Sequence, residues 1–298
     1  MSYSSEMLEA AALARPELRE GADDVRGFVR SRAMPDGGFK GRGADSDLYY
    51  TVFGLDCMMA MGEQPDLEQT ATFLAKSGDG DGLDLIHLGC LARCWTRLGL
   101  KGLSDSDART ILARVEKYRS RDGGYSIEQD AGNGSIYGCF LAYAAYQDLD
   151  SSIPEPESMA DSVEALRMDD GFFTSEIGLQ KATVNAAVGA ILLLGDLGRP
   201  VAGPVSEWLL AQCHEKGGFL AAPGVPVPDL VSTATALFAL RRVGVALDGV
   251  KKSCINFVGS VWDDNGGFAG HWLDDTVDCE YTFYALLSLG CLVGSASV

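Results

Sequence analysis

The sequence predicts an all-α chain folded as an α/α toroid, a ring of six helix-pair repeats also described as an (α/α)6 barrel. The first observation behind this is a glycine-aromatic mark that returns along the whole chain. It reads Asp36-Gly37-Gly38-Phe39, Asp122-Gly123-Gly124-Tyr125, Asp170-Gly171-Phe172, Lys216-Gly217-Gly218-Phe219 and Asn265-Gly266-Gly267-Phe268, with a weaker copy at Gly80-Asp81-Gly82-Leu83. The first glycines, at 37, 80, 123, 171, 217 and 266, are spaced by 43, 43, 48, 46 and 49 residues, a period that belongs to a repeat architecture. The second observation is that an apolar helix follows each mark, and the third is that an amphipathic helix follows that. Six such pairs, none able to bury its face alone, close most simply into a ring.

The apolar helices are expected over residues 47–62, 84–99, 181–198, 229–244 and 275–290, each ending near a glycine. In the run from Asp229 to Leu240, small and large apolar residues surround the axis, as expected of an inner helix buried on more than one face. The amphipathic helices are expected over 66–76, 104–118, 204–213 and 248–258. In the second of these, capping residues from Ser104 onward precede Ile111, Leu112, Val115 and Tyr118 on one face, the pattern of an outer helix with one wet side. Residues 1–35, with helical stretches at 7–14 and 22–31, are expected to add a further outer element to a single domain spanning 1–298.

Composition narrows the classes of function. With 47% hydrophobic residues in 298, the chain can bury a large core. Its formal net charge of −18 argues against nucleic acid or an anionic membrane as partner, and permits a basic protein partner. The longest apolar run, 186–194, is too short to span a bilayer. The start of the chain lacks the basic and apolar segments of a secretory signal, so a cytoplasmic protein is expected. Eight cysteines without a CxxC pair read as reduced core residues.

A ring of parallel inner helices would bring six helix N-termini to one mouth, where unpaired N–H groups and helix dipoles favour anions. Below it, Tyr49, Tyr50, Phe53, Tyr137, Phe140, Tyr143, Phe238, Tyr281, Phe283 and Tyr284 either fill the core or line an apolar cavity able to take an elongated ligand. Cys139 is expected on the same lining.

The marks and apolar helices together resemble the repeat family shared by protein prenyltransferase β subunits and terpene cyclases, most closely the type II (Rab) geranylgeranyltransferase β subunit, over essentially the whole chain. Ile86-His87-Leu88-Gly89-Cys90 resembles the second-repeat HLLYT segment of that family, and the run from Tyr50 to Gly62 resembles its first repeat. The resemblance implies an isoprenoid ligand, with His87 among the residues that bind it, and a helical-repeat α subunit as partner. It also implies a zinc site of an Asp-x-Cys pair and a distant His. The matching positions here are Asp229-Leu230-Val231 and either Glu280 or Tyr281, and valine cannot donate to a metal, so no zinc is expected. Magnesium would accompany only a diphosphate substrate. The family's diphosphate-binding Arg and Lys are missing from residues 221–228, and Lys181 stands where the family carries a diphosphate-binding His.

The terpene cyclase side of the family protonates its substrate with a D-x-D-D motif. Trp272-Leu273-Asp274-Asp275-Thr276 keeps the last two aspartates, with Trp272 in place of the first. Asp278 and Glu280 nearby would raise the pKa of such an acid by repulsion. The alternative is that Asp274 and Asp275 cap the last inner helix. His271 is placed to meet Asp229 or Glu280. The expectation is therefore a zinc-independent enzyme of isoprenoid transfer or cyclisation. Asp229, Asp274, Asp275, Asp278, Glu280 and Tyr281 carry the chemistry, and Tyr49, Tyr50, His87, Tyr137, Cys139, Lys181 and Trp272 bind the substrate. The alternative is a non-catalytic toroid that binds a lipid or a peptide.

Overall fold

The computed structural model describes residues 1–201 and 203–293. Three N-terminal helices, α1 (Tyr3–Ala12), α2 (Arg15–Leu18) and α3 (Gly21–Arg32), lead into a regular alternation. The inner series is α4 (Leu48–Ala60), α6 (Leu85–Arg97), α8 (Ile136–Asp148), α10 (Val184–Asp196), α12 (Leu230–Arg242) and α14 (Cys279–Val293). Between them run α5 (Leu67–Ala75), α7 (Asp105–Val115), α9 (Pro156–Glu164), α11 (Gly203–Ala211) and α13 (Asp248–Ser260). The inner helices are buried nearly all round: in α10 the run from Ala186 to Leu194 is buried without a break. The outer helices bury one stripe, as α7 does with Ile111, Leu112 and Val115. None of the described helices is long and apolar enough to cross a membrane.

Backbone pairing explains why the mark recurs. Its aromatic residue bridges the residue six positions earlier, as Ala33 with Phe39, Arg119 with Tyr125, Cys213 with Phe219 and Trp262 with Phe268. In the fourth repeat the partner of Arg167 is Phe173. Phe173 is fully buried, while Phe172 lies against Trp208 with ring centroids 5.4 Å apart. The repeat's aromatic is thus Phe173, and Phe172, expected in that role, occupies the place of the second glycine.

The first glycine of the mark is set by a close approach to an outer helix. A Cβ on Gly217 would lie 1.9 Å from the Ser253 carbonyl oxygen of α13, and one on Gly266 would lie 2.2 Å from the Asp24 carbonyl oxygen of α3. Both glycines also have positive φ, 93° and 89°, which other residues adopt only at a cost. Gly37 and Gly123 abut α5 and α9 in the same way. Because the last mark rests on α3, that helix is the sixth outer helix of the repeat, and not the additional element expected from residues 1–35.

The chain forms two compact units, Met1–Ser4 with Leu74–Leu209, and Ser5–Phe73 with Leu210–Val298. In the first, α8 packs between α6 and α10. In the second, α14 packs between α12 and α4, so the last inner helix meets the first.

The N-terminal residues depart from the outer position expected of them. In the first unit, Tyr3 is buried and its ring stacks on Phe140 at 5.4 Å and meets Tyr143 at 5.7 Å. Its backbone N–H donates to Gln147 Oε1 at 3.0 Å, and Arg97 donates to the Ser4 carbonyl at 2.7 Å. Phe140 and Tyr143 are therefore covered by the chain's own start. In the second unit, Glu6 pairs with Arg242 at 3.0 Å, and Gly290 of α14 lets the Ala10 carbonyl approach. Residues 1–12 thus pack on inner helices. All eight cysteines are free, and all but Cys213 are buried.

Candidate functional site

Every inner helix opens on a side-chain cap. Asp47 accepts from Tyr50 N–H, Asp84 from His87, Ser135 from Gly138, Thr183 from Ala186, Asp229 from Ser232 and Asp278 from Tyr281, at 2.7–3.2 Å. The mark places three of these caps directly, because its aromatic pairs with the capping aspartate: Phe39 with Asp47, Phe219 with Asp229 and Phe268 with Asp278. For the first and last of these the pairing extends to two-residue ladders, β1 (Phe39–Lys40) with β2 (Ser46–Asp47) and β3 (Phe268–Ala269) with β4 (Val277–Asp278). The aromatic's N–H donates to the side chain four residues after the cap, Thr51 at 2.9 Å and Thr233 at 2.8 Å.

This register corrects the expectation for the last helix. Asp278 is the cap, while Asp274 accepts from Thr276 N–H at 2.9 Å within the preceding loop and Asp275 is exposed. Burial works against ionisation of Asp274, but its bonds to Thr276 and the proximity of His271 outweigh it and hold the carboxyl below its usual range. Asp274 of the D-x-D-D-like segment therefore lacks the raised pKa that protonating an alkene calls for.

The second unit gathers a polar cluster at the start of α4 and α14. Arg42, in the loop between β1 and β2, donates from Nε and Nη2 to Asp278 Oδ2 at 3.1 and 3.0 Å, and its guanidinium lies 5.5 Å from the Tyr281 ring centre. Asp278 is only 1% exposed and divides its oxygens between Arg42 and the helix cap. Tyr50 is pushed up to about 12 by burial and by the Asp278 charge, so it remains a neutral phenol.

Glu280 stands two residues after its cap, as Tyr49 does after Asp47, and the Tyr49 hydroxyl donates to Glu280 Oε1 at 2.6 Å. Burial raises the Glu280 pKa and the Asp278 charge adds to it, against the pull of Tyr49 and Arg42. From Tyr49 the aromatic contacts run to Tyr50 at 5.4 Å and Phe53 at 5.1 Å, and from Phe53 to Phe283 at 6.0 Å and Tyr284 at 5.7 Å. The arrangement is a half-buried acid with an elevated pKa, bonded to the first of a run of aromatic rings, whose π faces stabilise positive charge.

Asp229 is also raised by burial, but its two oxygens accept from Ser232 N–H at 2.7 Å and Ser232 Oγ–H at 2.8 Å. At the family's zinc positions, the donors thus reduce to a committed carboxylate, a valine and either Tyr281 or Glu280. Among the described residues no group of three or more His, Cys, Asp and Glu is placed to hold a metal ion. His271 acts on Asp229 electrostatically, and its Nδ1 accepts from Leu273 N–H at 3.1 Å.

Trp272, expected to bind substrate, packs instead on the outer side. Its Nε1–H donates to Ser260 Oγ at 2.7 Å, and its ring meets Phe257 of α13 and His214 edge-on.

In the first unit, Tyr137 in the opening turn of α8 is 47% exposed. His87 is tied to the cap Asp84 by Nδ1 at 2.7 Å, and Lys181 is exposed two residues before the Thr183 cap. Cys139, expected on a cavity wall, is fully buried and accepts from Tyr125 N–H at 3.2 Å. It occupies the repeat position of Thr51 and Thr233, and burial pushes its thiol up to about 12. It is a packing residue of the mark. The residue that the sequence reading missed is Arg42, for which the only local signal is its place between Gly41 and Gly43.

Comparison with known proteins settles the family. The family model described as the prenyltransferase alpha-alpha toroid domain matches residues 3–172 and 183–296. The chain belongs to that family. No curated protein matches this toroid in sequence. Among solved structures, the toroid is similar to Candida albicans protein geranylgeranyltransferase-I complexed with GGPP, with a TM-score of 0.65 and 14% identity over 90% of each chain. It is also similar to the type II terpene cyclase MstE from Scytonema in complex with geranylgeranyl dihydroxybenzoate, with a TM-score of 0.60 and 14% identity, covering 95% of this chain and 98% of that one. An alpha-1,6-mannanase from Salegentibacter follows at a TM-score of 0.56 and 11% identity, covering 93% and 98%. Identities this low establish the fold alone, and the mannanase shows how widely its chemistry ranges.

The cap of α14 gives a direct stability test. Asp278→Ala should cost about 1–2 kcal/mol, the usual range for a lost N-cap, because the half-exposed Arg42 adds little as an ion pair. Asp278→Asn, itself a good cap, should cost less than about 1 kcal/mol, and Asp275→Ala should fall within about 0.5 kcal/mol of the parent. Urea unfolding of the three variants checks the ranking.

Proposed function

We propose that this toroid binds an isoprenoid whose head carries no diphosphate and protonates it, with Glu280 as the acid. The observation that carries this reading is the Glu280 carboxyl, half-buried, raised in pKa and bonded to Tyr49, from which the aromatic contacts run on to Phe53, Phe283 and Tyr284. Structural neighbours lend the ligand class, since the ligands of both complexes named above carry a geranylgeranyl chain or its diphosphate.

In the proposed step, the alkene π electrons take the Glu280 proton to form a C–H bond, leaving a cation on the adjacent carbon and a carboxylate on Glu280. A second alkene of the same chain captures the cation in cyclisation, and loss of a proton to a carboxylate base restores neutrality. Tyr49 holds the acid in place, and the π faces of Tyr49 and Phe53 stabilise the cation. Asp278, with Arg42 bound to it, favours the protonated form of Glu280 by its negative charge.

The zinc-dependent transfer implied by the family does not fit these residues. Val231 offers no donor and Asp229 has both oxygens engaged by Ser232. A diphosphate would also meet the carboxyls of Asp229, Asp274 and Glu280, with Arg42 already committed to Asp278, which favours a head without that charge.

The test is incubation of the purified protein in deuterated water with geranylgeraniol and, separately, with geranylgeranyl diphosphate, each with EDTA and with added zinc. The expected result is a cyclised, deuterium-bearing product from the alcohol, unaffected by chelator. Turnover that appears only with zinc and the diphosphate would overturn the reading. Binding of geranylgeraniol without any turnover would establish the non-catalytic toroid instead.

A further inference from the structure

Away from the acidic cluster, the second unit holds a pair of thiols. Cys213 follows α11 at the position where the backbone bridges Phe219, and Cys254 lies in α13 next to Ser253, whose carbonyl sits under Gly217. Their sulfur atoms are 3.9 Å apart. Cys213 is half-buried and reachable from solvent, while Cys254 is fully buried behind it. This is the arrangement of an attacking thiol in front of a resolving one.

We propose that Cys213 and Cys254 form a redox modification site that a hydroperoxide closes to a disulfide. The Cys213 thiolate attacks the peroxide oxygen, the O–O bond breaks, and Cys213 becomes a sulfenic acid while the other oxygen leaves as water or an alcohol. Cys254 then attacks the Cys213 sulfur, the S–O bond breaks, and the proton from Cys254 leaves with that oxygen as water. The two sulfurs together lose two electrons, and the peroxide gains them. A hydrogen bond from Cys254 holds the Cys213 pKa below its usual value and outweighs the effect of burial, which favours Cys213 as the attacking group.

Closure needs the sulfurs to approach by about 2 Å, to the bond length of a disulfide. The movement falls on the short segment between α11 and the mark, where Cys213 has no helix of its own to distort. The bond would brace this segment to α13. Phe219, which bridges Cys213, also accepts the N–H of Asp229 at 3.2 Å, so the brace reaches the residue that caps α12.

The reduced full-length protein, treated with hydrogen peroxide, should lose two hydrogens in mass and regain them with dithiothreitol. Peptide mapping after alkylation should show Cys213 joined to Cys254, with the other six cysteines alkylated. Cys213→Ser should abolish the mass loss with an unchanged melting temperature, and Cys254→Ala should trap an added oxygen on Cys213 that dimedone captures. A disulfide at another pair, eight alkylated cysteines after peroxide, or an undiminished mass loss in Cys213→Ser would each overturn the proposal.

Discussion

Glu280→Gln is expected to lower turnover of a polyprene by about a hundredfold or more, the usual contribution of a positioned acid, while leaving ligand binding in place. Gln has nearly the same shape and can still accept from the Tyr49 hydroxyl, but its amide has no acidic proton to give. The same change in Asp274 or Asp275 should leave turnover within a few-fold, because the first is held ionised by Thr276 and His271 and the second is exposed.

The pH dependence follows from the sign of the Glu280 shift. Its folded pKa is raised above the unfolded value by burial and the Asp278 charge. Between the two values, the folded state keeps a proton that the unfolded chain has released. Stability from this group is therefore complete below the ordinary glutamate pKa and is lost as pH rises through the raised one. The active, protonated form is lost over the same range. Thermal unfolding of the parent against Glu280→Gln should show the parent falling relative to the variant as pH rises through that window, with the rate falling in step. A variant that keeps full turnover, or a rate independent of pH across the window, would remove Glu280 from the acid role.

The ring of repeats was legible because its glycines are required by backbone approach, a constraint that no other residue meets. The inner helix expected over 229–244 was legible from its apolar run, and its first residue, Asp229, proves to be the cap of α12. The last inner helix was read as starting three or four residues early, since Asp274 and Asp275 look like caps in sequence. The β pairing of Val277–Asp278 with Phe268–Ala269 moves the start to Cys279. The first repeat carried the clue, because Ser46–Asp47 precedes α4 in the same way.

The partnership of Arg42 with Asp278 joins residues 236 positions apart, beyond any local pattern. The pairing of Tyr49 with Glu280 spans 231 positions and had only the shared place after a cap to suggest it. Trp272 and Cys139 were misplaced for another reason. Residue type identified them as apolar but gave no side, and only the ring on α13 and the thiol under Tyr125 N–H fix it.

Gly217→Ala should produce the largest loss of stability. Two penalties act at that position. An alanine at a φ of 93° meets the left-handed penalty of roughly 1–2 kcal/mol. Its methyl would also lie 1.9 Å from the Ser253 carbonyl oxygen, a backbone atom that cannot turn aside. Relieving that clash means lifting the mark from α13, a strain of about 1–3 kcal/mol on the scale of overpacked cores. The sum is about 2–5 kcal/mol, a large part of the stability of an ordinary domain. Gly224 separates the two terms, because its φ is also positive at 81° but nothing lies within 4 Å of an added methyl. Gly224→Ala should therefore cost only about 1–2 kcal/mol. Urea unfolding of both variants measures the difference, which is the energy of the helix contact alone. Equal losses would mean that the mark is held by turn geometry and that its seat on the outer helix contributes nothing.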